Sequence, residues 1–141
     1  MGTDVSDRIA SLRAIPMFAG LTDEALGRVA ETMTEVEAAP GQVLIPQGRA
    51  GSGLLVVQQG TVMVERPGKH VIELGPGEFV GELALLTPEG VHTARVRAKT
   101  SGVLLAIARS DFTRLLEGEP KIAMAVISAL AARLAATTRP D

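Results

Sequence analysis

The sequence has no cysteine, tryptophan or tyrosine, and its 141 residues include only three phenylalanines. The absence of cysteine excludes disulfide bonds, thiol nucleophiles and metal sites with thiolate ligands. The absence of tryptophan and tyrosine excludes the stacking of nucleobases on these side chains, a common means of binding single-stranded nucleic acid. The net charge of −2 argues against a nucleic-acid-binding surface, because such surfaces are basic.

Long apolar runs and a secretory leader are also lacking. No run approaches the roughly 20 residues that span a bilayer, and Asp4 and Asp7 stand where a signal peptide would be basic or apolar. We therefore predict a cytoplasmic protein without membrane contact. With 46% hydrophobic residues, the chain is long enough to bury one core, and we predict a single domain over residues 1–141.

Residues 1–38 are predicted to form N-terminal helices. Ser6 and Thr22 are suitable N-cap residues, Pro16 ends the first helix, and apolar residues recur at helical spacing in the second. The members of that apolar series are Leu26, Val29, Ala30 and Met33.

Residues 39–108 have the composition of short strands joined by tight turns. The pairs Pro40-Gly41, Pro67-Gly68 and Pro76-Gly77 are turn dipeptides. Short runs rich in β-branched residues lie among them, and this pattern indicates a sandwich or barrel. The runs cover residues 43–45, 54–57, 61–65, 71–74, 94–98 and 103–107.

Residues 109–138 are predicted to form two helices. Ser110 is a suitable cap for the first, Gly118 ends it, and Pro120 suits the first turn of the second. The second helix carries two apolar stripes, so it needs two surfaces to cover it. Either both lie in its own domain, or one packs on a second copy, and we favour a homodimer through residues 120–138. The stripes are Ala123, Ile127, Leu130, Leu134 and Thr137, and Ile122, Val126 and Ala129.

One stretch combines a glycine, a single carboxylate and a short apolar run. Gly81 allows the backbone to approach a ligand closely. A short helix that begins at Glu82 would direct free N–H groups toward an anion, and the Glu82 carboxylate can accept a hydrogen bond from a hydroxyl. These properties suit a sugar phosphate.

The strand after this stretch has two different faces, because successive side chains alternate. The small and apolar face is expected to point inward. His92 lies on this face and is therefore directed into the pocket where the sugar phosphate would bind. The opposite face carries the outer stripe, defined as Arg95, Arg97 and Lys99, which we interpret as a solvated surface. The inward face is His92, Ala94, Val96 and Ala98, and Thr93 lies with the outer stripe and acts chiefly through its backbone.

Taken in order, these features resemble the cyclic nucleotide-binding domain of the catabolite activator protein type, over about residues 15–138. The resemblance implies a mainly β fold with flanking helices: a β-jelly-roll (double-stranded β-helix) barrel, two N-terminal helices, a short cassette helix and two C-terminal helices. It also places a phosphate-binding cassette at residues 80–96. The landmarks are Pro40-Gly41-Gln42, the glycines Gly48, Gly51 and Gly60, Pro76-Gly77-Glu78-Phe79, Gly81-Glu82-Leu83-Ala84-Leu85-Leu86, and residues 94–100.

The resemblance also implies roles for residues of the cassette. Glu82 would accept a hydrogen bond from the ribose 2′-hydroxyl, and Gly81 would give it room. Backbone N–H groups around Leu83 and Ala84, and those of Thr93, would face the cyclic phosphate, with the Thr93 hydroxyl as an extra donor. Ala94 would close the cassette onto the next strand.

Residues outside the cassette are assigned by the same resemblance. Val64 and Leu74 are candidate apolar walls for the sugar and base. Thr137 and Thr138 stand where cAMP-responsive transcription factors carry hydroxyl residues that meet the adenine, although a fraying helix end is an equally simple reading of two threonines.

Two departures from the family pattern bear on function. His92 stands where the cassette has an arginine that binds the phosphate with two hydrogen bonds. Loss of a charge-assisted hydrogen bond costs about 1.5–3 kcal/mol, or about ten- to a hundredfold in affinity. The sequence also ends at Asp141, without the helix-turn-helix that follows the long helix in the transcription factors, so we expect no DNA-binding domain.

Two functions of different classes follow from the sequence. The first is a regulatory domain that senses a cyclic nucleotide, cAMP or another, and transmits occupancy through its C-terminal helices. The second is a degenerate cassette that binds no nucleotide and serves for dimerisation or protein interaction. Catalysis is not expected: the only histidines, His70 and His92, are far apart, and no metal or cofactor is predicted.

Overall fold

The computed structural model describes residues 5–45, 53–66, 68, 70–81 and 94–138. Its helices are α1 (Val5–Arg13), α2 (Asp23–Thr32), α3 (Arg109–Gly118) and α4 (Pro120–Thr138), with a turn of 3-10 helix at Pro16–Phe18. Its strands are β1 (Met33–Ala38), β2 (Val43–Ile45), β3 (Gly53–Gln59), β4 (Val62–Glu65), β5 (Ile72–Leu74), β6 (Phe79–Val80), β7 (Arg95–Ala98) and β8 (Gly102–Ala108).

The chain divides into two compact units. The helical unit consists of Met1–Ala30 and Thr113–Asp141, and the strand unit of Glu31–Phe112. The predicted mixture of helices and antiparallel strands is confirmed, whereas the single domain over residues 1–141 stays a prediction.

The beginning of α2 shows how the sequence sets a helix end. The Thr22 hydroxyl accepts a hydrogen bond from the Ala25 N–H at 3.1 Å, as expected of an N-cap. Asp23 and Glu24 follow in the first turn, where a carboxylate is favoured by the helix dipole. Ser6 and Ser110 differ from the prediction, since each lies one residue inside its helix rather than before it.

The helical assignment of residues 1–38 is wrong for Met33–Ala38, which form β1. Met33 continues the helical spacing of α2, but the segment that follows pairs with β8 along its whole length, from Met33 opposite Ile107 to Ala38 opposite Gly102. A six-residue ladder of backbone hydrogen bonds overrides the weak helical pattern, because local propensity is only a prior.

The strands form two four-stranded antiparallel sheets, in the orders β1-β8-β3-β6 and β2-β7-β4-β5. Among the residues that the structure describes, no ladder joins one sheet to the other, so the strands do not close into the predicted barrel. The edges are β1 and β6 in one sheet and β2 and β5 in the other, and three of these four have at most three residues. Short edges reduce the risk of pairing with other chains.

The two sheets share one apolar interior, which we call the inner core. Every strand contributes at least one buried side chain to it. Val64 packs against it from β4 and is only partly buried. The buried members are Ala38, Ile45, Val57, Val62, Leu74, Val80, Val96, Ala98 and Leu104.

Polar contacts join the N-terminal and C-terminal parts of the helical unit. Arg28 pairs with Glu119 at 2.8 Å, and the Lys121 ammonium donates to the Gly20 carbonyl at 3.0 Å. The hydrogen bond to Glu119 is the main reason why the pKa of Arg28 is raised above its usual value. These contacts fix the start of α4 against α2 and the segment before it.

The burial of α4 corrects the predicted stripes. Ile122 and Val126 are buried, as the second stripe requires. The first stripe is not exposed along its whole length, because Ala123 and Leu130 are half-buried. The apolar residues of α4 that are more than half exposed are Met124, Ile127 and Leu134. We call this row the exposed α4 row.

Candidate functional site

Gly81 directly follows β6 and has a backbone conformation that only glycine adopts easily. It is buried and has φ of 100°, in the left-handed region where a Cβ would be strained. Its position is fixed by Val80, which lies opposite Leu55 in β3. This φ explains why a glycine stands here, and the close approach of a ligand to it stays a prediction.

The turn before β6 is fastened to the neighbouring strand. The Gly77 N–H donates to the Val57 carbonyl and the Val57 N–H donates to the Glu78 carbonyl, both at 2.8 Å. The Glu78 carboxylate accepts from the Gly75 N–H at 2.7 Å. This Pro-Gly turn thus sets where β6 begins and, two residues later, where Gly81 lies.

Ala94 marks the other end of the predicted cassette. It is half-buried at a bend immediately before β7, whose first residue, Arg95, lies opposite Glu65. Five of the predicted ligand-binding residues fall between these two ends and lie outside the described residues: Glu82, Leu83, Ala84, His92 and Thr93.

The candidate apolar walls both face the interior of the strand unit. Leu74 is 5% exposed within the inner core, and Val64 packs against that core while staying partly exposed. Val64 lies opposite Ile72 on one side and Val96 on the other. Their contact with a ligand stays a prediction. Thr137 and Thr138 are the last two residues of α4, and their role stays a prediction too.

The two faces of β7 are confirmed for its described residues. Val96 and Ala98 are buried, whereas Arg95 and Lys99 are exposed. The outer stripe is not a free basic surface, because each of its three members pairs with a carboxylate. Arg95 and Arg97 contact Glu65 at 3.0 and 2.7 Å, and Lys99 contacts Glu73 at 2.8 Å.

Residues 65–70, with Pro67-Gly68 as the turn dipeptide, are predicted from the sequence to form the tip of a hairpin, whereas the two arginine contacts of Glu65 are not predicted. The hairpin is correct, since β4 and β5 pair directly. Alternation along β4 and β7 was visible in the sequence, but the register that brings the last residue of β4 opposite the first residue of β7 was not, and this register is what lets the carboxylate meet the two arginines.

The described residues also bear on two other classes of function. In the part of the chain that the structure describes, no group of three or more histidine, cysteine, aspartate or glutamate residues is close enough to hold a metal ion. Among the described helices none combines the length and hydropathy needed to cross a membrane. The cytoplasmic location stays a prediction.

Comparison with known proteins identifies the family. Residues 35–119 match the family model of the cyclic nucleotide-binding domain, a span that includes every strand except the first two residues of β1. The chain therefore belongs to the cyclic nucleotide-binding domain family, as the sequence motifs indicated.

Individual relatives are longer proteins. An uncharacterised NTE family protein of Mycobacterium bovis is 31% identical over 96% of this chain, but the chain spans only 23% of that relative. A cAMP-binding acyltransferase from Mycobacterium smegmatis is 30% identical with a TM-score of 0.79, over 94% of this chain and 42% of the other.

A third relative has a different relation to the nucleotide. The regulatory subunit of a cAMP-independent protein kinase A from Trypanosoma brucei is 30% identical with a TM-score of 0.77, over 92% of this chain and 45% of the other. Proteins described as cAMP-binding and as cAMP-independent are thus equally similar to this chain.

Proposed function

We propose that this chain is a regulatory domain that binds a cyclic nucleotide of the cAMP type. One observation carries the proposal: Gly81 is buried with a positive φ at the exit of β6, immediately before the carboxylate of Glu82. Glycine loses more conformational entropy on folding than any other residue. Close approach of a ligand to the backbone would explain why a glycine is nevertheless used here.

The proposed ligand residues follow from this position. Glu82 would hold the ribose 2′-hydroxyl, and N–H groups around Leu83, Ala84 and Thr93 would hold the phosphate. Two antiparallel sheets with a common core support the jelly-roll assignment, since that fold is an eight-stranded double sheet. Binding would favour one arrangement of the C-terminal helices, which is a population shift that a partner could read. Catalysis is not part of the proposal.

Binding is tested by titrating the protein with cAMP and with cGMP to near-millimolar concentration and measuring heat and melting temperature. At a hundred times the dissociation constant, the ligand should stabilise the fold by about 2.7 kcal/mol. Glu82→Gln should abolish most of this gain. Glu73→Gln is the matched control, because it removes the same charge from an exposed ion pair with Lys99. A flat melting temperature and no heat would refute the proposal.

A second candidate is a protein-interaction module that binds no nucleotide. Two observations favour it: His92 stands where the family has an arginine, and the regulatory subunit of a cAMP-independent protein kinase A is as similar to this chain as the cAMP-binding acyltransferase. The titration separates the two candidates, since this module predicts no stabilisation by either nucleotide.

We also propose that the chain forms a homodimer through α4. The exposed α4 row supports it, because Met124, Ile127 and Leu134 are each more than half exposed on one helix and lie three and seven residues apart, as in a coiled-coil seam. Sedimentation should show a dimer at micromolar concentration. Ile127→Glu should give a monomer, whereas Ser128→Glu, which adds the same charge at the next exposed position, should not. A monomeric unsubstituted protein would contradict the dimer.

A further inference from the structure

We infer that Glu65 is a positioning residue for ligand affinity: it fixes the start of β7, and with it Ala94, through Arg95 and Arg97. The inference rests on the proposed nucleotide site, which it deepens by adding a residue that does not touch the ligand.

The contact geometry is that of a carboxylate shared between two arginines. One oxygen of Glu65 accepts from Arg95 Nε at 3.0 Å and the other from an Arg97 terminal nitrogen at 2.7 Å. Arg95 and Arg97 lie on the same face of β7, two residues apart, so they would repel each other without an anion between them. Glu65 removes that repulsion.

Burial makes the Glu65 contact stronger than the ion pair between Lys99, which follows β7, and Glu73. The Glu65 side chain is 18% exposed, whereas Glu73 is 51% exposed. Solvent screens an exposed pair to a small net value, while a shielded and branched pair is worth more. The Arg97 Nε is buried without a hydrogen-bond partner among the described residues, so Arg97 depends further on the Glu65 carboxylate.

The place of the contact connects it to the site. Arg95 is the first residue of β7 and lies opposite Glu65, the last residue of β4. Ala94 precedes Arg95 directly, so the shared carboxylate holds the point from which the chain leaves the sheet toward the predicted phosphate contacts. Lys99 follows the other end of the same strand directly, and its ion pair with Glu73 of β5 gives a control with the same chemistry.

The test compares Glu65→Gln with Glu73→Gln. Each variant loses one negative charge from an ion pair with β7. We expect Glu65→Gln to raise the cyclic-nucleotide dissociation constant about three- to tenfold and Glu73→Gln to change it less than about twofold. Titration calorimetry with cAMP, at a temperature where melting curves show both variants folded, measures the difference. An unchanged affinity in Glu65→Gln, or an equal loss in both variants, overturns the inference.

A double-variant cycle separates positioning from a general loss of stability. If Glu65 acts through Arg95, the effects of Glu65→Gln and Arg95→Gln on affinity are not additive, because each removes the same contact. Additive effects on affinity would overturn the route through Arg95.

Amide hydrogen exchange gives a readout that needs no ligand. In the nucleotide-free protein, the amides at the start of β7 should exchange faster in Glu65→Gln and not in Glu73→Gln, because only the first variant loosens that end. If the unsubstituted protein binds no nucleotide, the proposed function fails, and exchange alone decides whether Glu65 fixes this strand. Equal exchange in the two variants overturns the inference.

Discussion

His92→Arg is expected to tighten cyclic-nucleotide binding by about ten- to a hundredfold. The reason is the chemistry of the donor: a guanidinium is always charged and offers two parallel hydrogen bonds to a phosphate, whereas a neutral imidazole offers one donor and no charge. A charge-assisted hydrogen bond is worth about 1.5–3 kcal/mol, and each 1.4 kcal/mol corresponds to about tenfold in affinity. Titration calorimetry of both proteins with cAMP measures the gain.

The matched control for this substitution is His70→Arg. His70 is the only other histidine, and it is exposed in the segment between β4 and β5. The control introduces the same arginine and the same charge at a distance from the cassette in sequence, so a change in affinity there would reveal a general electrostatic attraction. Equal affinities of His92→Arg and the unsubstituted protein would mean that His92 is not the reason for weak binding.

Gly102→Ala is expected to destabilise the fold by about 3 kcal/mol, near the upper end of the usual cost of overpacking. A Cβ on Gly102 would lie 2.3 Å from the Gln59 carbonyl oxygen and 3.2 Å from the Gly60 Cα. Both are backbone atoms of the turn that closes β3, where the register with β8 already shifts. Backbone held by a ladder cannot move aside as a flexible side chain can, so the sheet itself must distort.

Urea unfolding and thermal melts measure this loss, which should lower the melting temperature by roughly 10 °C. Gly75→Ala is the control: its Cβ would meet no heavy atom within 4 Å, and its backbone is not in the left-handed region. We expect that variant to change the stability by less than about 0.5 kcal/mol. Equal unfolding midpoints for Gly102→Ala and the unsubstituted protein would show that β3 and β8 can separate without cost.

Particular elements show where sequence reasoning succeeded and where it could not. Thr22 was recognised as a cap because a cap requires only a side-chain oxygen next to its own helix. The faces of β7 were recognised because alternation of small apolar and basic residues has a single solution when one face is buried. The order of turns and glycines was sufficient to indicate the family, which the family comparison confirms.

Three failures concern features that neighbouring residues do not reveal. Met33 was assigned to a helix because its pairing with Ile107 in β8 leaves no trace in the neighbouring residues. Glu65 was left at a hairpin tip because its two arginines are about 30 residues away, at separations of 30 and 32. Met124 was left out of the apolar seam of α4 because heptad spacing shows that stripes exist but not how deeply each is buried.

The amino-acid sequence by itself determined the family, the Pro-Gly turns and the inward and outward faces of β7, because these depend on neighbours and on periodicity. The tertiary structure alone decided that β1 is a strand, that the strands form two sheets, and that Glu65 holds Arg95 and Arg97. The physical reason is that strand pairing and ion pairs across a sheet depend on register between distant segments, and register is set only when the inner core packs.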